Sequence, residues 1–303
     1  MSSASEFPSM PGHIPVLFSE VLQHLKPQTN QSVIDATLGD AGHALGLLEA
    51  IAPRGRLLGL EADQRTLTAT AAWLKRFGPR FVPVQGNFRD LKTHATTNHF
   101  TQIHCCLFDL GLSSTALADA SRGFSFQSIG PLDMRLDPET QTLTAAAIIN
   151  DWSADRLIDL FHRLGQEPAA VRIAEWIVAQ RRTKPLTDTG QLADLVTQAM
   201  PRHGRLHPAT RVFQALRMMV NDELGALQSA LPQALELLVP GGRLAVISFH
   251  SLEDRVVKEW TRQSARAGQV RILTKHVIVP SPTEVRRNPR ARSAKLRVIE
   301  KNN

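Results

Sequence analysis

The chain alternates short apolar runs with segments whose apolar residues recur at helical spacing. Strand-like runs lie at 32–35, 56–61, 81–86, 103–111, 243–251, 271–279 and 294–300. Helical spacing lies between them, at 14–26, 44–51, about 64–77 and 212–238. This alternation is typical of a parallel sheet covered by helices on both faces. The pattern therefore predicts an α/β fold with a mostly parallel seven-stranded sheet whose last two strands pair with each other.

The interval between the strand ending near Asp109 and the one beginning near Arg243 is too long for a single crossover helix. Its middle reads as three helices: Ser153 is a favourable N-cap for the first, Pro168 suits the first turn of the second, and 187–200 is the third. We therefore expect a helical domain inserted at 118–212. The sheet domain is then discontinuous, 13–117 with 213–303, and 1–12 is a disordered leader.

The net charge and its distribution along the chain indicate the kind of partner that the protein binds. The net charge is +7, and positive charge is concentrated from Glu284 onward, where there are seven Lys and Arg residues and only two Glu, Glu284 included. Such a density favours binding to the phosphates of a nucleic acid. No apolar run approaches membrane-spanning length, and the start of the chain does not resemble a secretion signal. Adjacent Cys105 and Cys106 are expected as free thiols in a reducing cytoplasm, and no metal site is predicted.

The stretch VIDATLGDAGHALGLLEA, residues 33–50, combines a strand, a glycine turn and a helix. Gly39 and Gly42 permit close approach of a ligand to the backbone, and the helix N-terminus offers free N–H groups. Glu61 and Asp109 end two further strands and should meet at the same edge of the sheet, where such folds bind ligands. These features leave NAD and S-adenosylmethionine both open, although Ala41, standing where a dinucleotide fingerprint has its second glycine, favours the latter.

Several longer strings carry a family resemblance. They are HIPVLFSEVL, DATLGDAGH, FDLGLSS, RGFSFQSIGPLDMR, HPATRVFQALRMMVNDEL, LVPGGRLAVISFHSLEDR and NPRARSAKLRV. Together they resemble the RsmH (MraW) family of S-adenosylmethionine-dependent 16S ribosomal RNA cytosine-N4 methyltransferases. The resemblance runs from about His13 to Lys301. It implies a Rossmann-like methyltransferase domain with an inserted substrate-recognition domain, S-adenosylmethionine as cofactor, and a cytidine in the decoding centre, near the P site, as substrate.

The same resemblance implies the residues that contact the cofactor. They are Ala41, Gly42, His43, Glu61, Phe88, Asp109 and Ala116. Ala41 replaces a glycine of the family, Glu61 an aspartate, and Ala116 a glutamine. Ala41 is tolerated if its φ is negative, Glu61 keeps the carboxylate on a longer arm, and Ala116 loses a polar contact worth about 1 kcal/mol if the glutamine bonds the cofactor.

Transfer to cytosine N4 needs a fixed acceptor for the amine hydrogen, because the lone pair of N4 is delocalised into the ring. We expect Asp109, with Ser113 or Ser114, to orient the amine or the cofactor. The alternative is that the serines only cap the following turn. Residues expected to contact the RNA are Phe124, Phe126, Arg135, Arg211, Arg290 and Arg292, the two aromatics as stacking platforms unless they are core residues.

Two other functions stay open. A protein that kept the fold but lost turnover would act as an rRNA-binding or small-subunit assembly factor, and the departures at Ala41 and Ala116 are its support. A nicotinamide dehydrogenase would need a fuller glycine fingerprint. The partner expected is 16S rRNA within the small ribosomal subunit, in the cytoplasm and away from membranes. A homodimer is left open.

Overall fold

The computed structural model describes residues 14–200 and 207–303. It divides into two compact units, which we call the sheet unit, residues up to Ser113 together with Leu224–Asn303, and the helical unit, Ser114–Glu223. The predicted leader at 1–12 lies outside the described residues. In the part of the chain that the structure covers, no helix is long and apolar enough to cross a membrane.

The helices and strands follow one another in near-regular alternation within the sheet unit. The strands are β1 Ser32–Asp35, β2 Arg56–Glu61, β3 Phe81–Gln85, β4 Ile103–Asp109, β5 Leu238–Ser248, β6 Val270–Ile272 and β7 Lys295–Lys301. The helices of this unit are α1 Phe18–Leu25, α2 Gly42–Ala50, α3 Gln64–Leu74, α4 Leu91–Thr97, α11 Glu223–Leu237, α12 Ser251–Arg266 and α13 Pro282–Arg287. Those of the helical unit are α5 Ser114–Ala118, α6 Ala145–Asp151, α7 Ala154–Arg163, α8 Ala170–Thr183, α9 Thr189–Ala199 and α10 Thr210–Asn221.

One sheet of seven strands organises the sheet unit, in the order β3-β2-β1-β4-β5-β7-β6. The first five strands are parallel, and β7 runs antiparallel between β5 and β6. Successive side chains of a strand enter different cores: Val33 belongs to one apolar cluster and Ile34 to the other. The predicted mostly parallel sheet with apolar packing on both faces, and the pairing of its last two strands, are confirmed.

Two predicted elements have different bounds. The helix expected over 212–238 is two helices, because Asp222 adopts a left-handed conformation (φ 44°, ψ 48°) that an α-helix cannot continue through. The strand expected over 271–279 ends at Ile272. Beyond it, the hydroxyl of Thr274 accepts a hydrogen bond from the Val298 amide, and only Ile278 returns to pair with Leu296.

The adjacent cysteines are confirmed as free thiols inside the sheet. Cys105 and Cys106 are both buried on β4 and face opposite cores. Burial raises the pKa of Cys105 to about 12 and that of Cys106 well above its usual range. Both side chains therefore stay protonated at neutral pH and act as small apolar residues.

The helical unit is built by amphipathic helices with capped ends. The predicted N-cap is confirmed, since the Ser153 hydroxyl accepts the Arg156 amide at 3.3 Å. A buried asparagine ties the extended chain before α6 to the end of α10. The side-chain oxygen of Asn221 accepts the Leu136 amide at 2.9 Å, and its NH₂ group donates to the Met134 carbonyl at 2.8 Å.

Asn221→Ala is expected to destabilise the helical unit by about 2–4 kcal/mol, because it leaves a buried amide and a buried carbonyl without partners. Urea unfolding followed by the fluorescence of Trp152 and Trp176, both in this unit, measures the loss. Exposed Gln127→Ala is the control and should change the free energy of unfolding by less than about 0.5 kcal/mol. Equal effects of the two variants would contradict this account of the helical unit.

Candidate active site

The glycine turn between β1 and α2 is held from two sides. Gly39, with φ +49°, donates its N–H to Oε2 of Glu61 at 2.9 Å and accepts the Thr70 hydroxyl at its carbonyl at 2.7 Å. Glu61 ends β2, and Thr70 lies on α3. The turn is therefore fixed by two neighbouring elements before any ligand arrives, which is the preorganisation that a cofactor site needs.

Ala41 does not have the negative φ under which it was expected to be tolerated at this turn. It has φ 60° and ψ 15°, in the left-handed region, and it is fully buried at the N-cap of α2. Its φ is positive because the turn must reverse direction between Gly39 and the first residue of the helix. An L-residue in this conformation costs roughly 1–2 kcal/mol, which the surrounding hydrogen bonds and packing offset.

Glu61 ends β2 as predicted, and its carboxylate already has backbone partners. Oε1 accepts the Asp63 amide and Oε2 the Gly39 amide, each at 2.9 Å. Burial, together with the charges of the neighbouring Asp63 and Asp35, raises the pKa of Glu61 to about 7 in spite of these two hydrogen bonds. The carboxylate therefore holds the glycine turn, and each oxygen keeps a second lone pair for a ligand.

Asp109 lies at the end of β4, beside the glycine turn. Its amide donates to the Thr37 hydroxyl at 2.6 Å, and its Oδ2 lies 3.6 Å from Nε2 of His43. Its Oδ1 is buried, and among the described residues it has no hydrogen-bond partner. Such an atom is rare in a folded protein and indicates that a ligand group completes the site.

A second buried carboxyl group raises the pKa of Asp109 further. Burial alone raises that pKa well above its usual range, and the charges of Asp35 and Glu253 add to the effect. Asp35 ends β1 and has its own pKa raised by burial to about 7. Asp35, Glu61 and Asp109, which we call the carboxyl cluster, therefore favour a cationic ligand, because a positive charge restores their ionised forms.

The other predicted cofactor and catalytic residues lie on both units. Phe88 follows β3 and packs edge-on against Phe108, with ring centroids 5.6 Å apart. The hydroxyl of Ser113 lies 3.5 Å from that of Thr66 on α3, in the sheet unit. Ser114 and buried Ala116 lie on α5 of the helical unit. Their roles toward a cofactor stay predictions.

Two of the predicted RNA contacts have structural roles within the helical unit. Phe124 is buried under the guanidinium of Arg122, so its ring is a core residue rather than an open platform. Arg135 donates to both carboxylate oxygens of Asp133 and to the carbonyls of Pro138 and Gln141. Most N–H donors of Arg135 are therefore bound within the chain, and its contact with RNA stays a prediction.

The remaining RNA candidates are more accessible. Phe126 is half-buried, stacks on the ring of His207 at 4.6 Å and meets Phe213 edge-on at 5.0 Å. Arg211 is 44% exposed and lies 3.8 Å from the carboxylate of buried Glu167. In the sheet unit, Arg290 and Arg292 are exposed on the 3₁₀ turn that follows α13. Their contact with RNA stays a prediction.

Sequence reasoning missed the threonines that support the site. Thr37 receives the Asp109 amide, and Thr70 donates to Gly39. The only signal for Thr37 was its place two residues after Asp35, whose Oδ1 accepts its amide at 3.2 Å in an Asx turn. His250, which follows β5, caps α12, where its Nδ1 accepts the Glu253 amide.

The strain at Ala41 predicts a difference between two otherwise equivalent glycine substitutions. Ala41→Gly and Ala44→Gly each remove one buried methyl group and add the same backbone freedom to the unfolded chain, but only the first relieves a positive φ. We expect Ala41→Gly to be about 1–2 kcal/mol more stable than Ala44→Gly in urea unfolding. Equal stabilities would contradict the left-handed conformation at Ala41.

Comparison with known proteins agrees with this geometry. The model of the MraW methylase family matches residues 10–302. A relative named ribosomal RNA small subunit methyltransferase H, from Thermomicrobium roseum, is 49% identical over 98% of this chain and 96% of its own. Relatives of the same name from Heliobacterium modesticaldum and Dehalococcoides mccartyi are 44% and 45% identical over 95% of this chain, and over 98% and 86% of their own. The crystal structure of an rRNA methylase from Streptococcus thermophilus aligns over 96% of this chain and 99% of its own, at 13% identity and a TM-score of 0.46. Because the family model spans nearly its whole length and these relatives are 44–49% identical to it, the chain belongs to the MraW methylase family.

Proposed function

We propose that this protein transfers a methyl group from S-adenosylmethionine to the exocyclic N4 of a cytidine in the decoding centre of 16S rRNA. Membership of a methylase family and relatives named small subunit rRNA methyltransferases support the general reaction. The observation that carries the proposal is Asp109, whose buried Oδ1 lies beside the glycine turn with no hydrogen-bond partner among the described residues.

The residues at the ends of β1, β2 and β4 fit the cofactor. Gly39 presents backbone without a side chain at the turn, and Glu61 keeps one lone pair on each oxygen for the two ribose hydroxyls. The carboxyl cluster suits a positively charged ligand. When bound, S-adenosylmethionine supplies an electrophilic methyl group on a cationic sulfonium.

Asp109 has the chemistry that activation of N4 needs. An acceptor fixed at Oδ1 draws the amine hydrogen toward it, so that the nitrogen lone pair is less committed to the ring and points at the methyl group. The raised pKa of Asp109 also makes its carboxylate a better proton acceptor than an exposed aspartate. Asp109 is thus placed to orient N4 and to accept the proton that N4 loses on methylation.

RNA binding is proposed for residues that are exposed and positively charged or aromatic. Arg290 and Arg292 neutralise phosphates from the sheet unit, and Arg211 and Phe126 contact RNA from the helical unit, which acts as the substrate-recognition domain. The partner proposed is the small ribosomal subunit in the cytoplasm. This division predicts that salt weakens RNA binding without changing cofactor affinity.

Substitution of Asp109 tests the assignment of the reaction. Asp109→Ala and Asp109→Asn are expected to lower the rate of methyl transfer to unmodified small subunits at least about 100-fold, because neither side chain can accept the proton. The assay follows labelled S-adenosylmethionine and maps the modified base. Exposed Asp90→Asn in the same unit is the control and should leave the rate unchanged.

The same assay separates the competing function. If the wild-type protein binds small subunits tightly but transfers no methyl group, its function is that of an assembly factor and not of a methyltransferase. Transfer at full rate by Asp109→Asn would keep the enzyme and remove Asp109 from its chemistry. Label on a position other than cytidine N4 would overturn the substrate proposed here.

The raised pKa values predict how cofactor affinity depends on pH. With a pKa of about 7, Asp35 and Glu61 are mostly neutral at pH 6 and mostly ionised at pH 8. A cation binds the ionised forms better, so affinity for S-adenosylmethionine should rise about tenfold from pH 6 to pH 8. Titration calorimetry measures this, with S-adenosylhomocysteine, which lacks the sulfonium charge, as the control that should show a smaller rise. An affinity that is flat or falls across this range would contradict the proposed carboxylate–cation contact.

A further inference from the structure

A short segment before α1 packs directly on the helix that follows the glycine turn. We call residues 14–17 the strap; it leads into α1 at Phe18. A Cβ built on Gly42 would lie 2.5 Å from Cγ of Pro15, and one built on Gly46 would lie 2.5 Å from Cζ of Phe18. Gly42 and Gly46 are one helical turn apart, so they give α2 a flat face on which Pro15 and Phe18 rest.

Phe18, the first residue of α1 after the strap, makes one aromatic contact beside the proposed reaction centre. The ring of Phe18 stacks on that of buried His43, with centroids 5.9 Å apart and an angle of 26° between the planes. Nε2 of His43 lies 3.6 Å from Oδ2 of Asp109. The position of the strap therefore sets the orientation of the imidazole that lies against the proposed proton acceptor.

The strap itself is strained and is held from the far end of the chain. Leu17 is fully buried in the left-handed conformation, with φ 54° and ψ 34°. Its amide donates to Oε1 of Glu284 on α13 at 2.7 Å, across 267 positions of sequence. The side-chain NH₂ of Asn288 donates to the Ile14 carbonyl at 2.9 Å. A strained residue keeps its conformation only where the surroundings impose it, and these two hydrogen bonds do so.

We propose that Glu284 is a positioning residue for methyl transfer: by holding Leu17 it seats the strap on α2 and fixes His43 against Asp109. The inference rests on the proposed function for its kinetic consequence. Without the carboxylate, Leu17 can relax to an ordinary φ, which moves Pro15 and Phe18 and releases the imidazole. Glu284 touches neither the carboxyl cluster nor the glycine turn, so its effect is transmitted by packing.

The chain offers a conservative variant and a matched control. Glu284→Gln keeps Oε1 as an acceptor for the Leu17 amide, whereas Glu284→Ala removes it. Glu300 is the control: it lies on β7 of the same sheet unit and pairs with Arg243 and Arg271, not with a residue of the strap. Glu300→Ala should therefore destabilise the unit without moving the strap.

The first readout is the NMR signal of the His43 ring, which needs neither cofactor nor RNA. We expect Glu284→Ala to shift it, while Glu284→Gln and Glu300→Ala leave it as in the wild type. An unchanged signal in Glu284→Ala, or an equal shift in Glu300→Ala, would overturn the proposal even if methyl transfer is confirmed. Asn288→Ala, which loosens the strap at Ile14, provides the same test if Glu284→Ala does not fold.

The second readout is the kinetics of transfer to small subunits. Glu284→Ala should lower kcat about tenfold with an unchanged KM for the subunit, and Glu284→Gln should return kcat to within about threefold of the wild type. If Glu284→Ala and Glu284→Gln both lowered the KM for the subunit, Glu284 would act only by electrostatic repulsion of the RNA. That result would overturn the positioning role. Absence of methyl transfer by the wild-type protein would refute the proposed function. The NMR signal of the His43 ring would still decide whether Glu284 holds the strap.

Discussion

The packing of buried Asp35 and half-buried Glu61 and Asp109 at one end of a parallel sheet is the constraint on which the rest of the sheet unit depends. Parallel strands bring their carboxyl ends to the same edge, so residues that end β1, β2 and β4 meet in space although the sequence separates them. Removal from water raises their pKa values, and the charge of Asp35 raises those of Glu61 and Asp109 further. A site of this kind binds a neutral ligand poorly and a cation well.

Backbone N–H groups around the carboxyl cluster partly offset the cost of removing its carboxylates from water. Glu61 receives two amide N–H groups, one of them from Gly39, and so the acid that would bind a ribose also fixes the turn that would receive the rest of the cofactor. Thr37 fixes the end of β4 in the same way. Preorganisation of the turn and raised pKa values are therefore two consequences of one arrangement. The left-handed Ala41 persists because this arrangement determines its neighbours.

The local pattern of apolar and polar residues was enough to predict most of the helices and strands and to identify the polar residues that end the strands. Alternating strand and helix signals predicted the sheet, and Glu61 and Asp109 stood out because each follows an apolar run. Tertiary contacts were out of reach: nothing near Gly39 in the sequence shows that its amide binds Glu61, and nothing near Leu17 shows that Glu284 holds it. The sign of φ at Ala41 and the burial of Phe124 depend on such contacts, so the sequence could not settle them.

The central claim is that the carboxyl cluster is largely neutral before a cation binds and ionises when it does. Carbon-13 NMR of the side-chain carboxyl groups, recorded against pH with and without S-adenosylmethionine, measures this directly. The account predicts that Asp109 titrates well above the usual range of an aspartate in the free protein and that the cofactor lowers its pKa. An Asp109 that titrates near pH 4 in both states would contradict it.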